Sequence, residues 1–482
     1  MSVSNRIKNQ HLLWRSAFGP MAENAASLDT FSTKDLWALL VKTSSKPAVK
    51  IEITKNPADE YMMGMTDPKQ IQKKMQSPEL RKKLREQSRD DLKTMNIRWL
   101  EIMVNSEAQL REKMSLFWHG HFACRSQNSF YQQELIHIIR TNALGSFADM
   151  LKAVSKSPAM LAFLNNQQNK KSHPNENFAR EVMELFTMGR GNYTENDVKE
   201  AARAFTGWSF NAQGEFLFRK NQHDFGSKTF LGKTGNFDGD DILNILLENK
   251  QTANYISNKI YSYFVNENID KKNQQLLSSR FYNNNYDISK LLEDIYSSDW
   301  FYDEKNIGNR IKSPVELLAG IRRLLPMQLD NNQSQLLFQR ALGQVLFYPP
   351  NVAGWPGGKN WIDSSSLMLR LRVPQILSAN DAIDIMPKAD DDIQMGMMEM
   401  VAKKMKETVK GGTASIDWAP VNKIFEKVQR EKLLENIADT VLQTKSQVSN
   451  AVLDKYVNTE SRENYIKSAV VNLMATPEYQ LC

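Results

Sequence analysis

Apolar side chains recur every three or four residues along most of the chain, and this spacing constrains the fold more than any other feature. Leu92, Met95, Trp99, Ile102 and Met103 fall on one stripe when their segment is drawn as a helix. The same spacing recurs over 110–118, 131–143, 178–186 and 198–205. The sequence therefore predicts a mainly α fold, a multi-helix globular protein whose helices each bury one face.

Two stretches break the helical pattern. A turn at 211–214 separates Phe210 from the alternating pair Phe216 and Phe218, which predicts a small β-hairpin within a loop-rich insertion over about 208–239. Proline and glycine crowd residues 348–358, where they cannot continue a helix. We therefore expect an ordered Pro/Gly-rich loop at this second stretch.

The length and a shift in composition suggest how the chain is divided. A chain of 482 residues is long enough for about two or three domains or subdomains. From about 387 to 412 the composition shifts towards Asp, Lys and Met. We expect a main helical domain at 1–375 and a C-terminal helical region at 376–482 that is partly mobile near 387–415.

The charge pattern argues against a nucleic-acid partner. Lysine and arginine number 62 against 55 aspartates and glutamates, a net charge of +7. The densest basic run, 81–85, is followed at once by Glu86, Asp90 and Asp91. A nucleic-acid-binding protein more often carries an uninterrupted basic face, so we interpret this run as a solvated helix surface.

The sequence also predicts the cellular location of the protein. The apolar patch His11–Trp14 is short and is broken by Arg15, whereas a signal peptide needs about seven or more apolar residues in a row. No run of about twenty apolar residues is present, so we expect no membrane span. The two cysteines, Cys124 and Cys482, are too far apart to form a disulfide framework or a zinc ligand set. We therefore expect a cytoplasmic protein.

A polar wedge beside the apolar stripe of 178–186 is the first candidate site. At roughly 100° per residue, Glu176, Asn177, Arg180, Glu181 and Glu184 share one side of the helix that follows Pro174. Three carboxylates with an arginine among them could ligate a metal or serve as acid and base, and the arginine would hold them ionised. A solvated helix face gives the same pattern, and this alternative stays open.

The segment His119-Gly120-His121 is the second candidate. Two histidines one residue apart point the same way only in an extended chain, which is plausible here because a helix is expected to end near Trp118. With His223, Asp224 and Glu181 or Glu184 they could complete a set of nitrogen and oxygen ligands for a divalent metal. The alternative is a pair of structural histidines at the end of a helix.

The Pro/Gly-rich loop is the third candidate because it carries Trp355 and Trp361. The flat face of an exposed indole can stack on the apolar face of a sugar ring. Tryptophans in such loops more often fill the core and hold the loop down. Sugar binding through Trp355 is therefore one of two interpretations.

Several motifs in one order resemble the bacterial family catalogued as domain of unknown function 1800. Residues 117–122, Phe-Trp-His-Gly-His-Phe, are similar to its FWxxHF segment, and His121 stands at its recurring histidine. Residues 175–186 are similar to its NENxARExMELF signature. Further matching segments are 11–19, 193–195, 202–208, 223–232, 312–316 and 349–357, with a weaker one at 476–479.

The resemblance implies a helical bacterial protein without an activity that can be carried over. Members of the family are often encoded beside sulfatase-like proteins, which hints at polysaccharide handling or at a two-protein system. A signature with fixed acids and arginine also fits a buried polar network better than a free surface. Because the family histidine aligns with His121, a ligand pair of His119 and His121 is less favoured than His121 acting with the carboxylates.

Two hypotheses follow. In the first, the chain is a hydrolase-like enzyme on an anionic substrate, with a polysaccharide-derived one suggested by the gene neighbours. Its residues would be Glu181, Glu184 and His121 for catalysis, Arg180, Arg203, Asn177 and Trp355 for substrate, and His121 and His223 for a divalent metal. In the second, the chain is a non-catalytic partner or chaperone of a co-encoded sulfatase-like protein. The NENxARE network would then be purely structural, and breaking a buried pair in it would cost about 3–5 kcal/mol.

Overall fold

Helices make up most of the computed structural model, which describes residues 3–56, 77–379 and 412–482. Within these ranges there are 21 α-helices and three two-stranded antiparallel sheets. The predicted mainly α fold is confirmed. No helix in the described ranges has an apolar stretch long enough to cross a bilayer.

The first ten helices end with the one that follows the NENxARE signature. They are α1 (Asn5–Ser16), α2 (Ala22–Ala25), α3 (Thr33–Ser44), α4 (Pro78–Asn105), α5 (Gln109–His121), α6 (Ser129–Asn142), α7 (Phe147–Ser155), α8 (Pro158–Phe163), α9 (Glu176–Glu181) and α10 (Glu195–Ala204). Between α9 and α10, the chain continues α9 as a π-helix, Val182–Thr187.

The remaining helices follow the β-hairpin insertion. They are α11 (Gly239–Glu248), α12 (Lys250–Phe264), α13 (Lys271–Asn283), α14 (Ile288–Tyr296), α15 (Pro314–Leu324), α16 (Ser334–Leu342), α17 (Ser364–Ser378), α18 (Ala419–Ile424), α19 (Leu433–Val441), α20 (Asn450–Leu453) and α21 (Arg462–Met474). The contacts of α12 with α13 and with the π-helix bring this second group against the signature.

Short strands form the three sheets. β1 (Trp208–Phe210) pairs with β2 (Phe216–Phe218), so the predicted hairpin is confirmed. A second hairpin in the same insertion joins β3 (Lys228–Phe230) to β4 (Lys233–Gly235). The third sheet is not local, because it joins β5 (Met327–Leu329) to β6 (Ala414–Ile416).

Side chains that accept hydrogen bonds from the first free amides set several helix starts. Thr194 and Asp197 form a reciprocal capping box at the start of α10, as the sequence predicts. Gly189, with φ of +79°, follows the π-helix and adopts the left-handed conformation that ends helical segments. Local sequence signals therefore fix both ends of the turn between the signature and α10.

Two hydrophobic clusters form the interior. The larger one extends from α1 to the loop at Phe347 and contains the buried faces of α4 to α14. In the smaller one, Trp14 joins α15, α16 and α17 to the C-terminal helices. Arg310 and Cys482 also exchange backbone hydrogen bonds of 3.1 and 2.7 Å. The last residues of the chain are therefore held against the segment that leads into α15.

The predicted division at residues 375 and 376 falls inside α17 and remains a prediction. The stretch near 387–415, predicted to be partly mobile, lies outside the described residues except for its last four. The Pro/Gly-rich loop predicted at 348–358 has no helix or strand over 348–357, and its last residue begins a short 3-10 helix, Gly358–Trp361. It packs on α5, since a Cβ added at Gly354 would collide with the carbonyl oxygen of Gly120.

Candidate functional site

The helix that carries the NENxARE signature begins at Glu176, two residues after Pro174. Asn175 is the N-cap of α9, and its side chain accepts a hydrogen bond of 3.0 Å from the amide of Asn177. The amide of Asn175 in turn donates to the side-chain oxygen of Asn169, 2.9 Å away. Pro174 therefore precedes the cap, whereas the sequence places it at the first helical residue. The two asparagines are the reason, since they compete successfully for the capping position.

The second half of the signature is a π-helix, a form that is rare and frequent at functional sites. Its wider turn is stabilised by Thr187, whose hydroxyl donates to the carbonyl oxygen of Val182 at 2.7 Å. The last carbonyl groups have no partner within a helix and are bound by side chains from elsewhere. Tyr255 Oη lies 3.3 Å from the carbonyl oxygen of Leu185, and Gln251 Nε2 lies 2.9 Å from that of Met188.

His121 binds the remaining carbonyl of this set. Its Nε2 lies 3.2 Å from the carbonyl oxygen of Phe186, and an N–H must donate because the carbonyl can only accept. The ring is therefore protonated at Nε2, and Nδ1 is an acceptor. Burial, followed by the nearby charge of Lys259, lowers the pKa of His121 well below its ordinary value. His121 is thus a neutral side chain attached to the end of the signature.

The expectation of an extended His119-Gly120-His121 segment is wrong. α5 continues through His121, and the amide of Phe122 still donates to the carbonyl oxygen of Trp118 at 2.8 Å. Gly120 does not stop the helix because its neighbours are packed on both sides. On a helix the two histidines diverge, and the Nε2 of His119 accepts a hydrogen bond from the amide of Phe347, 3.1 Å away. They cannot act as a ligand pair.

The outer part of the polar wedge forms an ion-pair network at the surface. Arg180 binds Glu195 through two hydrogen bonds of 2.8 Å and Glu176 through one of 3.2 Å. The side chains of Arg180, Glu176 and Glu195 are 34%, 39% and 70% exposed, so this network is not part of the core. Asn177 is exposed and donates weakly to the carbonyl oxygen of Leu164 at 3.3 Å. The network joins α9 to α10.

The inner part of the wedge consists of two half-buried carboxyl groups in different environments. Glu184 accepts a hydrogen bond of 2.6 Å from the hydroxyl of Tyr193. Glu181 makes no hydrogen bond or ion pair with any residue in the described ranges. Burial first, and then the charge of Glu184, raises the pKa of Glu181, while Arg180 opposes this shift. The two neighbouring acids are therefore not equivalent.

Lys259 and Tyr255 of α12 complete the surroundings of this inner part. Lys259 Nζ lies 5.4 Å from the centre of the Tyr255 ring. Burial alone lowers the pKa of Lys259 to about 8. Burial and then the charge of Glu184 raise the pKa of Tyr255. No local sequence pattern marks these two residues, because their pairing with the signature joins segments 70 residues apart.

Arg203 and His223 belong to a separate cluster. Arg203 binds Asp224 at 2.7 Å and Glu200 at 3.0 Å. His223 is buried between the rings of Phe218 and Phe225, and its Nδ1 donates to the carbonyl oxygen of Thr206 at 2.8 Å. No contact of His223 is shared with His121. In the described part of the chain, no three His, Cys, Asp or Glu side chains are placed to hold a metal ion.

The two loop tryptophans have different surroundings. Trp361 is buried, which agrees with the core-filling interpretation. Trp355 is half-buried, and its ring centre lies 5.3 Å from that of His119. The loop therefore rests on α5 next to the histidines, with one indole still partly open to solvent.

One comparison with known proteins gave a match. The model of a family described as "Protein of unknown function (DUF1800)" matches residues 11–481, which confirms the resemblance of the motifs. The match extends beyond the segment 11–370 that carries most of those motifs and includes the C-terminal helices. The search of the curated proteins and the search of the solved structures each found no match.

Proposed function

This chain belongs to the DUF1800 family, and we propose that it is a hydrolase that acts on an anionic substrate. The observation that carries the proposal is the pair formed by Glu181 and Glu184. Neighbouring carboxyl groups whose environments separate their proton affinities are the usual arrangement for an acid and a base in one site. Both are half-buried, so each keeps part of its side chain exposed to solvent.

Hydrolysis needs one group to give a proton to the leaving atom and another to take a proton from water. Glu181 suits the first role because its raised pKa lets it keep a proton at a higher pH than an ordinary glutamate. Glu184 suits the second role because the Tyr193 hydroxyl fixes the position of its carboxylate. His121 supports the site by anchoring the π-helix that carries Glu184.

The anionic class of substrate rests on two arginines, Arg180 on the same helix as Glu181 and Arg203 in the separate cluster with Asp224. The guanidinium groups of Arg180 and Arg203 match sulfate, carboxylate or phosphate in shape. Both already bind carboxylates of this chain, so a substrate anion would have to replace Glu195 or Asp224. A polysaccharide-derived substrate remains part of the proposal because the half-buried indole of Trp355 offers a sugar-binding face.

A substrate screen with three matched variants tests the proposal. We expect the full chain to hydrolyse at least one sulfated or uronate-containing oligosaccharide, and both Glu181→Gln and Glu184→Gln to lower kcat by about 10²-fold or more. Glu176→Gln is the control, because it removes a carboxylate from the same helix outside the pair. The proposal is wrong if any detected activity is equal in all three variants and the parent.

A specific observation favours the second candidate function, a non-catalytic partner of a co-encoded sulfatase-like protein. The network of Arg180, Glu176 and Glu195 is complete without a ligand and joins two helices. A surface of this kind suits a scaffold as well as an enzyme. Co-purification with the product of the neighbouring gene, unaffected by Glu181→Gln, would support this function. Two separate peaks in size-exclusion chromatography of the mixture would contradict it.

A further inference from the structure

Lys259 is a partly buried cation without an anion. It makes no ion pair and no hydrogen bond with any residue in the described ranges, and its one polar contact is with the face of the Tyr255 ring. Most lysines in this interior are compensated: the ammonium of Lys113, for example, binds Glu316 and the carbonyl oxygen of Trp14. A buried charge without a partner is costly. An unpaired ammonium beside a candidate site points to a ligand that compensates its charge.

His121 also has an unused hydrogen-bond acceptor, its Nδ1. Its Nε2–H is occupied by Phe186, and its Nδ1 is buried with no hydrogen-bond donor. Lys259 lies against the ring of Tyr255, whose hydroxyl binds the carbonyl oxygen of Leu185, and His121 binds the next carbonyl, that of Phe186. Both side chains therefore lie at the same end of the π-helix, and the charge of Lys259 contributes to the lowered pKa of His121. Buried polar atoms are nearly always paired, and an unpaired one needs a water molecule or a ligand. The missing partner of Nδ1 is a donor, such as a hydroxyl group.

Tyr255 holds this arrangement in place. Its hydroxyl is fixed on the carbonyl oxygen of Leu185, and its ring packs on Gly189, where an added Cβ would lie 2.8 Å from the ring. The charge of Glu184 also contributes to the raised pKa of Tyr255. Tyr255 and His121 therefore hold Lys259 and Nδ1 against the π-helix that carries Glu184.

We propose that Lys259 and His121 Nδ1 form a subsite for a substrate group that carries an oxyanion next to a hydroxyl. The oxyanion binds the ammonium of Lys259, and the hydroxyl donates to Nδ1 of His121. Carboxylate and sulfate share this chemistry, and a uronic acid carries the carboxylate and hydroxyls within one ring. The inference rests on the proposed function and names the group through which the substrate is held.

Three variants separate the two contacts. Lys259→Met removes the charge and keeps the length of the side chain, whereas Lys259→Arg keeps the charge. His121→Gln keeps an N–H at the position of Nε2 and loses the acceptor at Nδ1. Lys250→Met is the control, since Lys250 is an exposed lysine at the start of the same helix.

Isothermal titration calorimetry of the full chain at pH 7 tests the subsite with glucuronate, inorganic sulfate and glucose. We expect glucuronate to bind and glucose not to bind, and Lys259→Met to weaken glucuronate at least 10-fold. Lys259→Arg should retain part of the affinity, His121→Gln should weaken glucuronate more than sulfate, and Lys250→Met should have no effect. Sulfate binding as tight as glucuronate binding would assign the affinity to the oxyanion alone and overturn the role of Nδ1.

The subsite is overturned if neither anion binds the parent, or if Lys259→Met binds glucuronate as the parent does while its circular dichroism is unchanged. Binding is measured without turnover, so this outcome is distinct from failure of the acid–base pair. Glu181→Gln should bind glucuronate normally whether or not it is inactive. If Glu181→Gln hydrolyses substrate at the parental rate while Lys259→Met loses binding, the pair is refuted and the subsite stands.

Discussion

The imidazole Nε2 of His121 donates a hydrogen bond to the carbonyl oxygen of Phe186, 3.2 Å away, and joins the end of α5 to the π-helical end of the signature. This one contact connects His121, the recurring histidine of the family, to the segment that carries Glu181 and Glu184. It positions Glu184 through the backbone and leaves Nδ1 free for a further donor. A structural bond and a binding role are therefore compatible in the same ring.

Replacing His121 by alanine should destabilise the fold. The substitution leaves the carbonyl of Phe186 buried without a donor, which costs about 1–3 kcal/mol. His121→Gln supplies an N–H at the same distance along the side chain and should lose less. Urea denaturation at pH 7 measures both values. Equal stability of His121→Ala and the parent would show that the contact does not hold the π-helix.

Acid should destabilise the protein through its buried neutral histidines. Burial lowers the pKa of His119 to about 3. The unfolded chain takes up a proton below about pH 6.5 and the folded chain does not, so stability is complete above this value. It falls by about 1.4 kcal/mol per pH unit and per histidine as the pH drops from about 6.5 towards 3.

His119→Gln is the variant that isolates this effect. Its amide oxygen can accept the hydrogen bond from Phe347 but does not titrate. The slope of the unfolding free energy against pH between 6 and 4 should therefore be smaller in the variant than in the parent. An identical slope would mean that His119 is protonated in the folded chain.

Two arginine substitutions should differ strongly in their effect on stability. Arg310 binds Glu316 through hydrogen bonds of 2.9 and 2.7 Å, and both side chains are at most 7% exposed. Arg310→Met should cost about 3–5 kcal/mol because it leaves a buried carboxylate short of its partner. Arg180→Met should change the free energy of unfolding only slightly, because its pairs are screened by solvent.

Thermal denaturation of these two variants also shows how the signature stabilises the protein. Under the second hypothesis, in which the NENxARE network is buried and purely structural, Arg180→Met would be as costly as breaking a buried pair. The exposure of Arg180 and Glu195 is the reason to expect less. If thermal denaturation finds Arg180→Met as damaging as Arg310→Met, the surface network has a larger structural role than its exposure implies.

Lys259 should react with amine reagents at a lower pH than other lysines. Its pKa of about 8 lies below the ordinary value of about 10.4, so a larger fraction is the nucleophilic amine at neutral pH. Acetic anhydride at limiting amounts, followed by peptide mass spectrometry, should give half-maximal labelling of Lys259 near pH 8. Lys250 is the internal reference, and glucuronate should protect Lys259 alone. Labelling that follows the same pH curve at both lysines would contradict the assignment.

The sequence predicted those features that neighbouring residues determine. The capping box of Thr194 and Asp197, the left-handed Gly189 and the hairpin of Trp208–Phe218 each depend on a few adjacent residues. These signals act within the chain and are unaffected by what packs on them. The signature could also be located, since spacing placed Glu181 and Glu184 on one side of a helix, but the difference between their surroundings could not.

The remaining features depend on contacts between distant segments. The continuation of α5 through His121 is supported by packing against Trp355 and Phe186, which no local pattern reveals. The π-helix at Val182–Thr187 requires partners for its free carbonyls, and Gln251 and Tyr255 come from another helix. Lys259 became a candidate for the same reason, because its lack of an anion is visible only once its neighbours are known.

The central claim is that Glu181 and Glu184 form an unequal acid–base pair, and the pKa of Glu181 tests it most directly. Carboxyl-carbon NMR of selectively labelled glutamate can follow Glu181 in the parent and in Glu184→Gln, with Glu181→Gln for assignment. We expect a pKa clearly above the ordinary glutamate value of about 4.3 in the parent, and a partial fall in Glu184→Gln because burial remains. A pKa at or below the ordinary value that is unchanged in Glu184→Gln would contradict the account.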